Sequence, residues 1–164
     1  MTERQKFKLI EKIGSLEIRR YHPVVTAKVA VKGDYQSAGN QGFRPLANYI
    51  FSNNIAMTAP VIIEESPENN WEVSFVMPEG SKLNEMPTPS GNVKLNEHGE
   101  ELCAVLSFSG FAGAKQVAKM EAQLTKELAK NNLTPIGKVR VARFDPPWKP
   151  GLFRHNELVV PIKY

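Results

Sequence analysis

The segment RFDPPWKPGLFRHNEL, residues 143–158, combines residue types suited to binding a flat, apolar molecule that carries carboxylates. Aromatic rings supply planar apolar surface, and Lys and Arg supply positive charge for carboxylates. The side chains that we expect to form such a site are Phe144, Trp148, Lys149, Phe153 and Arg154. The alternative is a rigid loop that only covers one end of a sheet.

Prolines stiffen this segment, which makes it suitable for presenting a site. The three prolines are Pro146, Pro147 and Pro150. Because proline restricts its own φ angle, the loop loses less conformational entropy when it orders, and it holds its side chains in set directions. The sequence therefore predicts that Trp148 and Lys149 are presented on a stiff loop before the last strand.

The sequence contains no recognisable metal-binding motif, only single residues that could act as ligands. His22 and His155 are the candidate metal ligands because histidine is a common ligand residue, although each is also explained as a surface histidine. Met57 is a candidate thioether contact to a heme, although methionine more often fills gaps in a core. The single Cys103 excludes an internal disulfide and any CxxC metal site.

Catalytic motifs are absent from the sequence. It has no P-loop, GxGxxG, HExxH or GxSxG pattern, and no paired-carboxylate spacing. We therefore predict a binding protein without catalytic residues. The alternative, a hydrolase, would draw its acid and base groups from Tyr49, His155 and Glu157, which show no triad spacing.

Strands are predicted where apolar and polar residues alternate and β-branched residues are frequent. Turn residues such as the HP and HG pairs separate these runs. The predicted strands are 16–21, 24–32, 58–65, 71–77, 93–98, 101–109, 136–144 and 157–163.

Amphipathic stripes predict two helices. The stripe of the first helix consists of Phe43, Leu46, Ala47, Ile50 and Phe51. Pro45 must lie in the first turn of that helix, or kink a longer helix that begins near Asp34. The second helix is predicted at about 113–131.

The order of these elements is ββαββ, linker, ββαββ, which indicates an internal duplication within a single domain, 1–164. The pseudo-repeats span about 14–78 and 93–164, and the proline-rich linker spans 79–92. We predict an α+β fold in which the two ββαββ halves form a distorted, antiparallel eight-stranded barrel flanked by two helices.

The composition of the chain argues against two classes of partner, nucleic acids and membranes. Its 164 residues carry a formal net charge of +4, with basic and acidic residues interspersed, so nucleic-acid binding is not expected. No apolar run approaches the length of a membrane span, so membrane insertion is not expected, and the single cysteine favours a reducing, cytoplasmic location. Protein partners are not indicated.

Three motifs, in this order along the chain, resemble those of the SOUL heme-binding family. They are LEIRRY at residues 16–21, IAMTAPV at 55–61 after a helix ending in YIFSNN, and FDPPWKPGLFRHNEL at 144–158. The resemblance covers essentially the whole chain. It implies a duplicated α+β barrel like the effector-binding domains of bacterial drug-sensing regulators and gyrase-inhibitor-like proteins, and binding of heme or another tetrapyrrole.

The resemblance also implies where the tetrapyrrole lies, namely against the first helix and under the loop before the last strand. The residues that it places near the ligand are Phe43, Leu46, Ala47, Ile50, Trp148 and Lys149. Lys149 matches the family's lysine, which suits a propionate, and Arg44 is the helical cation for a second carboxylate. A tetrapyrrole is a flat apolar disc with two carboxylates, so the aromatic and cationic residues of the loop agree with this placement. No family-wide axial ligand is implied.

A small-molecule effector or drug-binding module is the alternative function. The related regulator domains direct a buried glutamate at their ligand cavity to meet cationic molecules, and Glu157 is the candidate here. A buried carboxylate without a partner is costly, so Arg154 is the predicted partner if Glu157 forms a structural ion pair instead.

Overall fold

The computed structural model describes residues 2–146 and 148–164, so the predicted stiffening by Pro147 lies outside the described residues. Four strands precede the first helix: β1 (Glu3–Arg4), β2 (Phe7–Ile13), β3 (Leu16–Tyr21) and β4 (Val24–Val31). Helix α1 spans Tyr35–Ser52.

Five strands connect the two helices. They are β5 (Thr58–Ala59), β6 (Val61–Ser66), β7 (Asn70–Val76), β8 (Lys94–His98) and β9 (Glu101–Ser109). Helix α2 spans Ala114–Lys130. After it come β10 (Thr134–Pro135), β11 (Arg140–Arg143) and β12 (His155–Lys163), with a 3-10 turn at Gly151–Phe153 before β12.

Ten of these strands form one curled antiparallel sheet in the order β2-β3-β9-β12-β11-β6-β7-β4-β8, with β10 paired to β12. The short β1 and β5 pair in parallel as a separate sheet. The predicted α+β class, with two helices and a curled antiparallel sheet, is confirmed. The sheet has ten strands instead of eight because β2 extends one edge and β10 forms a separate short pair.

The two faces of the sheet differ in chemistry. Helix α1 packs on β4 and β7, while α2 contacts β9, β10 and β12. Side chains alternate along β3, so Leu16 and Ile18 join the main core with the buried residues of both helices. Glu17, Arg19 and Tyr21 point to the opposite face, where they line a cavity. Charged groups therefore collect on the face away from the helices.

Helix α1 begins near Asp34, which confirms the longer of the two predicted helices. The Asp34 carboxylate accepts a hydrogen bond of 2.9 Å from the backbone N–H of Ser37 and caps the helix. Pro45 lies inside the helix. Among the described residues, neither helix combines the length and apolar character needed to cross a bilayer.

Most predicted strands match observed ones, and β2 is the main element that the sequence pattern did not reveal. All but the last of its residues are exposed, because β2 forms an edge of the sheet, so no buried periodicity marks it. The strand predicted at 136–144 is shorter in the structure, Arg140–Arg143, and the two residues before the predicted range, Thr134 and Pro135, pair separately with the end of β12.

The strand order is compatible with the predicted duplication. Suppose that each strand of the first half, β3, β4, β6 and β7, corresponds in turn to β8, β9, β11 and β12 of the second half. Corresponding strands then occur in the same order whether the sheet is followed from β3 to β8 or from β8 to β3. The first strand of each half then pairs with the second strand of the other half. The division into pseudo-repeats remains an interpretation.

Candidate functional site

Large apolar side chains are exposed in the loop before β12. Trp148 is 83% exposed, Leu152 79% and Phe153 64%. Phe111, in the connection between β9 and α2, is also 64% exposed. We call these four side chains the apolar platform. Exposed apolar residues concentrated in this way mark a surface that binds something, because single exposed residues are ordinary but clusters are not.

Phe111 belongs with this loop because the two chain segments touch. A Cβ atom placed on Gly151 would lie 2.5 Å from the Phe111 ring, so glycine allows the 3-10 turn to approach the ring closely. The guanidinium carbon of Arg154 lies 4.5 Å from the centre of the same ring. Phe111 could not be identified as part of this surface from the sequence, because it is more than 30 residues from the loop and carries no motif of its own.

Asp145 organises the loop through hydrogen bonds. Its carboxylate accepts bonds from the backbone N–H of His155 at 2.5 Å and from Nζ of Lys149 at 2.9 Å. Burial raises the pKa of Asp145, but these bonds outweigh that effect and hold its pKa below the usual range. Arg154 Nε donates to the carbonyl of Lys149 at 2.7 Å. Both predicted cations of the loop are therefore held beside the platform.

The residues predicted on the first helix have two different environments. Leu46, Ala47 and Ile50 are buried in the main core under α1. Phe43 is partly exposed, with its ring edge-on to Phe75 at a centroid distance of 5.3 Å, and Arg44 is exposed. The apolar stripe faces the sheet because α1 covers β4 and β7. Among these residues, Phe43 and Arg44 thus offer the accessible side chains on the helix.

Met57 and the side chains of the two candidate histidines have partners other than the platform side chains. Met57 is half-buried and packs against the main core. His22 Nδ1 lies 3.2 Å from a carboxylate oxygen of the exposed Glu79. His155 Nε2 lies 2.7 Å from Oε2 of Glu157. In residues 2–146 and 148–164, no group of three or more His, Cys, Asp or Glu side chains is arranged to hold a metal ion.

Cys103 is buried, and burial raises the pKa of its thiol to about 12. A thiol with so high a pKa is not a thiolate ligand at neutral pH. Tyr49, proposed for the hydrolase alternative, donates its hydroxyl to the carbonyl of Pro87 at 2.6 Å. The Tyr49 hydroxyl is thus held by the linker, away from the His155–Glu157 contact.

Glu157 forms a buried ion pair with Arg19, and the predicted pairing with Arg154 is wrong. Arg19 Nη1 and Nη2 donate to the two carboxylate oxygens of Glu157 at 2.7 and 3.0 Å. Both side chains are almost fully buried. Arg19 on β3 and Glu157 on β12 point to the same face of the sheet, with β9 between the two strands. Arg154 instead precedes β12 and lies over Phe111. The alternation within LEIRRY was the available signal for Arg19.

A cavity of about 200 Å³ opens above this ion pair, on the sheet face away from the helices. Its charged lining residues are Arg4, Glu17, Arg19, Arg140 and Glu157. Its ring-bearing lining residues are Phe7, Tyr21, Phe144 and His155. The cavity is separate from the platform, because none of the four platform side chains lines it.

Stability should depend on the ionisation of Glu157. Burial raises its pKa, but the hydrogen bonds from His155 and Arg19 outweigh burial, so the net pKa is below its ordinary value of 4.5. A carboxyl group with a lowered folded-state pKa stabilises the fold above its unfolded-state pKa. That contribution is lost as pH falls through the lower folded-state pKa.

We therefore expect the difference in thermal midpoint between the wild type and Glu157→Gln to shrink as pH falls below about 4.5. Thermal unfolding followed by circular dichroism from pH 7 to pH 3 measures it. Glu100→Gln, at an exposed glutamate, is the control and should show little difference at any pH. A Glu157→Gln difference that stays constant over this range would contradict the expected titration.

Comparison with known families matches residues 2–161 to the family model described as SOUL heme-binding protein. No curated protein matches the chain. Among solved structures, the chain is similar to the C-terminal domain of EcmrR, with TM-score 0.72 and 12% identity, covering 90% of this chain and 96% of that one.

Two further solved structures share the fold. A protein from Listeria innocua named as a hydrolase has TM-score 0.67 and 12% identity, covering 91% of this chain and 92% of that one. SAV2435 bound to tetraphenylphosphonium has TM-score 0.51 and 7% identity, covering 90% of this chain and 93% of that one. At these identities the similarities establish the fold alone.

Proposed function

Because the chain belongs to the SOUL heme-binding family, we propose that it binds heme or a related tetrapyrrole without catalysing a reaction. We propose the apolar platform, Phe111, Trp148, Leu152 and Phe153, as its contact surface. The observation that carries this proposal is the concentration of exposed large apolar side chains in one loop beside Lys149 and Arg154. Such a surface suits a flat apolar disc with carboxylates at one edge.

The residues present fit a tetrapyrrole that is held by its disc and its carboxylates. Lys149 and Arg154 are the cations for the propionates, but Lys149 already pairs with Asp145, so a propionate must share or displace that contact. Lys149 itself is partly exposed, and an ion pair that solvent reaches contributes about 0–1 kcal/mol. Apolar contact with the platform is therefore the larger contribution. When bound, heme supplies an absorption band that reports its surroundings.

Iron ligation by the protein is not part of this proposal. His155 Nε2 faces Glu157, and His22 lies near Glu79 in a different part of the fold. We therefore expect heme and iron-free protoporphyrin to bind with similar affinity. We keep Phe43 and Arg44 on α1 as proposed contacts at the edge of the tetrapyrrole surface. The buried or half-buried residues predicted for the site would instead support the helix and the core behind it; they are Leu46, Ala47, Ile50 and Met57.

We expect Trp148→Ala and Phe153→Ala each to weaken tetrapyrrole binding about tenfold or more, because each removes apolar area that the disc would cover. Titration of the purified protein with heme, followed by the shift of the Soret band, measures the affinity. Fluorescence titration with protoporphyrin measures it without iron.

Phe51→Ala is the matched control, because Phe51 is as exposed as Phe153 but lies near the end of α1. Its affinity should equal that of the wild type. Lys149→Ala should weaken binding by a smaller factor than Trp148→Ala, with the exposed Lys126→Ala of α2 as its control. Unchanged affinity in both Trp148→Ala and Phe153→Ala would refute the platform as the site.

A small-molecule effector-binding module is the second candidate, and the cavity above Glu157 favours it. The similar structure of SAV2435 carries a cationic ligand, tetraphenylphosphonium. Here the Glu157 carboxylate lines a cavity, as a cation-binding site would require, but it is already paired with Arg19. The hydrolase alternative has less support, because Tyr49 is held at Pro87, apart from His155 and Glu157.

A further inference from the structure

The cavity above the Arg19–Glu157 pair contains a carboxylate whose charge is already paired and whose two oxygens already have hydrogen-bond partners. Glu157 Oε1 accepts from Arg19 Nη1, and Oε2 accepts from Arg19 Nη2 and lies 2.7 Å from His155 Nε2. An organic cation at this carboxylate would share a charge that a bidentate guanidinium already balances, and such a pairing is among the strongest that proteins form. Glu157 is thus a weak receptor for a cation.

The donors of Arg19 are equally occupied. Its Nε donates to Glu17 at 2.8 Å, and its Nη1 also donates to the hydroxyl oxygen of Tyr21 at 3.0 Å. Its guanidinium carbon lies 4.1 Å from the centre of the Phe7 ring. Arg19 therefore closes the floor of the cavity and presents no unused charge to a ligand.

Two other groups of the lining do have unused donors. Tyr21 accepts from Arg19, but among the described residues its own hydroxyl proton has no acceptor. Burial raises the pKa of Tyr21 to about 12, so the proton is retained at neutral pH. Arg4 lies with its guanidinium carbon 5.0 Å from the centre of the Phe144 ring, and its charge helps to lower the pKa of Asp145, although among the described residues it forms no ion pair within 4.0 Å. Both groups could donate a hydrogen bond to an anionic oxygen.

Aromatic rings form much of the cavity wall. The Phe144 ring stands at 58° to the His155 ring with centroids 5.0 Å apart, and the Phe7 and Tyr21 rings meet edge-to-face at 5.5 Å. Its volume of about 200 Å³ is below the ~300–1,000 Å³ of drug-sized sites, so the ligand must be compact. Flat walls and a small volume together suit a single ring.

We propose that this cavity binds a small aromatic carboxylic acid, with its ring between Phe7 and Phe144 and its carboxylate toward Arg4 and Tyr21. In this arrangement Arg19 determines specificity, because its pairing with Glu157 removes the charge that would attract a cation. The site is independent of the proposed tetrapyrrole surface, with which it shares no side chain.

Three probes of one shape and different charge test the proposal: benzoate, benzamide and benzylammonium. Titration of the full chain, followed by chemical-shift changes in proton–nitrogen NMR spectra, gives the three dissociation constants and the residues affected. We expect benzoate to bind about tenfold more tightly than benzamide or benzylammonium, since its carboxylate gains a charge-assisted contact. The shifts should centre on Tyr21, Phe144 and His155.

Arg4→Gln should weaken benzoate binding about tenfold and leave benzamide binding unchanged. Arg4 is exposed, so this variant is expected to fold, and Lys8→Gln on the exposed edge strand β2 is its matched control. Trp148→Ala should leave benzoate binding unchanged, because Trp148 does not line the cavity. Benzoate binding therefore tests the cavity separately from the tetrapyrrole proposal, and either proposal can fail without the other. Preferential binding of benzylammonium, equal binding of benzamide, absence of binding, or an unaffected Arg4→Gln variant would each overturn the proposal.

Discussion

Replacing Arg19 with alanine is expected to lower the free energy of unfolding by about 3–5 kcal/mol at neutral pH. The substitution leaves Glu157 buried without the guanidinium that binds both of its oxygens. It also removes a donor from the Tyr21 hydroxyl and from Glu17. A buried charge that loses its partner costs far more than an exposed one, because water cannot replace the lost bonds.

Arg20→Ala is the control for this substitution, because Arg20 is the next residue and its pair with Glu100 is exposed. Its unfolding free energy should change by less than about 1 kcal/mol. Urea unfolding at pH 7 measures both variants. The cost of Arg19→Ala should also diminish at low pH, where Glu157 becomes protonated and needs no counter-charge. Equal effects of the two substitutions would show that the ion pair has no special role in stability.

Gly42→Ala is expected to destabilise the protein by about 1–3 kcal/mol, although alanine is the better helix former. A Cβ atom on Gly42 would lie 2.4 Å from two carbon atoms of Val73, which is fully buried in β7. Neither side can yield easily, because α1 packs directly on β7. The helix would have to move away from the sheet, which opens gaps in the main core.

Gly39→Ala in the same helix provides the contrast. A Cβ atom there would lie 3.4 Å from Ile63 Cδ1 and 3.5 Å from Arg143 Nη1, which are ordinary contact distances. We expect this variant to be more stable than the wild type by about 0.5–1 kcal/mol, since alanine costs less conformational entropy in a helix. Thermal unfolding of both variants measures the difference. A destabilised Gly39→Ala with an unaffected Gly42→Ala would contradict this packing.

Strands in the interior of the sheet could be predicted because burial imposes alternation on them. The run LEIRRY coincides with β3, and its alternate residues face the core and the cavity. Edge strand β2 could not be predicted in this way, because nearly all of its side chains are exposed and no burial pattern forms. Its pairing with β3 depends on backbone hydrogen bonds, which any residue except proline provides.

The candidate site was predictable in one part only. The loop that carries Trp148, Lys149 and Phe153 could be identified from its composition, and the structure leaves both aromatic side chains exposed. The helical stripe could be identified as one face of a helix, but periodicity does not say what covers that face. In the structure the sheet covers it, so Leu46 and Ile50 lie in the core.

By itself, the sequence determined the class of fold, the two helices, the aromatic loop before the last strand and the family of the chain, because each depends on residues close together along the chain. Only the tertiary structure decided that Arg19 pairs with Glu157, 138 residues away, and that Phe111 joins the loop of Trp148. Strand pairing brings β3, β9 and β12 side by side, and no local pattern encodes which charges then meet. The Arg19–Glu157 ion pair that results balances the charge of the carboxylate in the cavity. It thereby affects which ligands the cavity can bind.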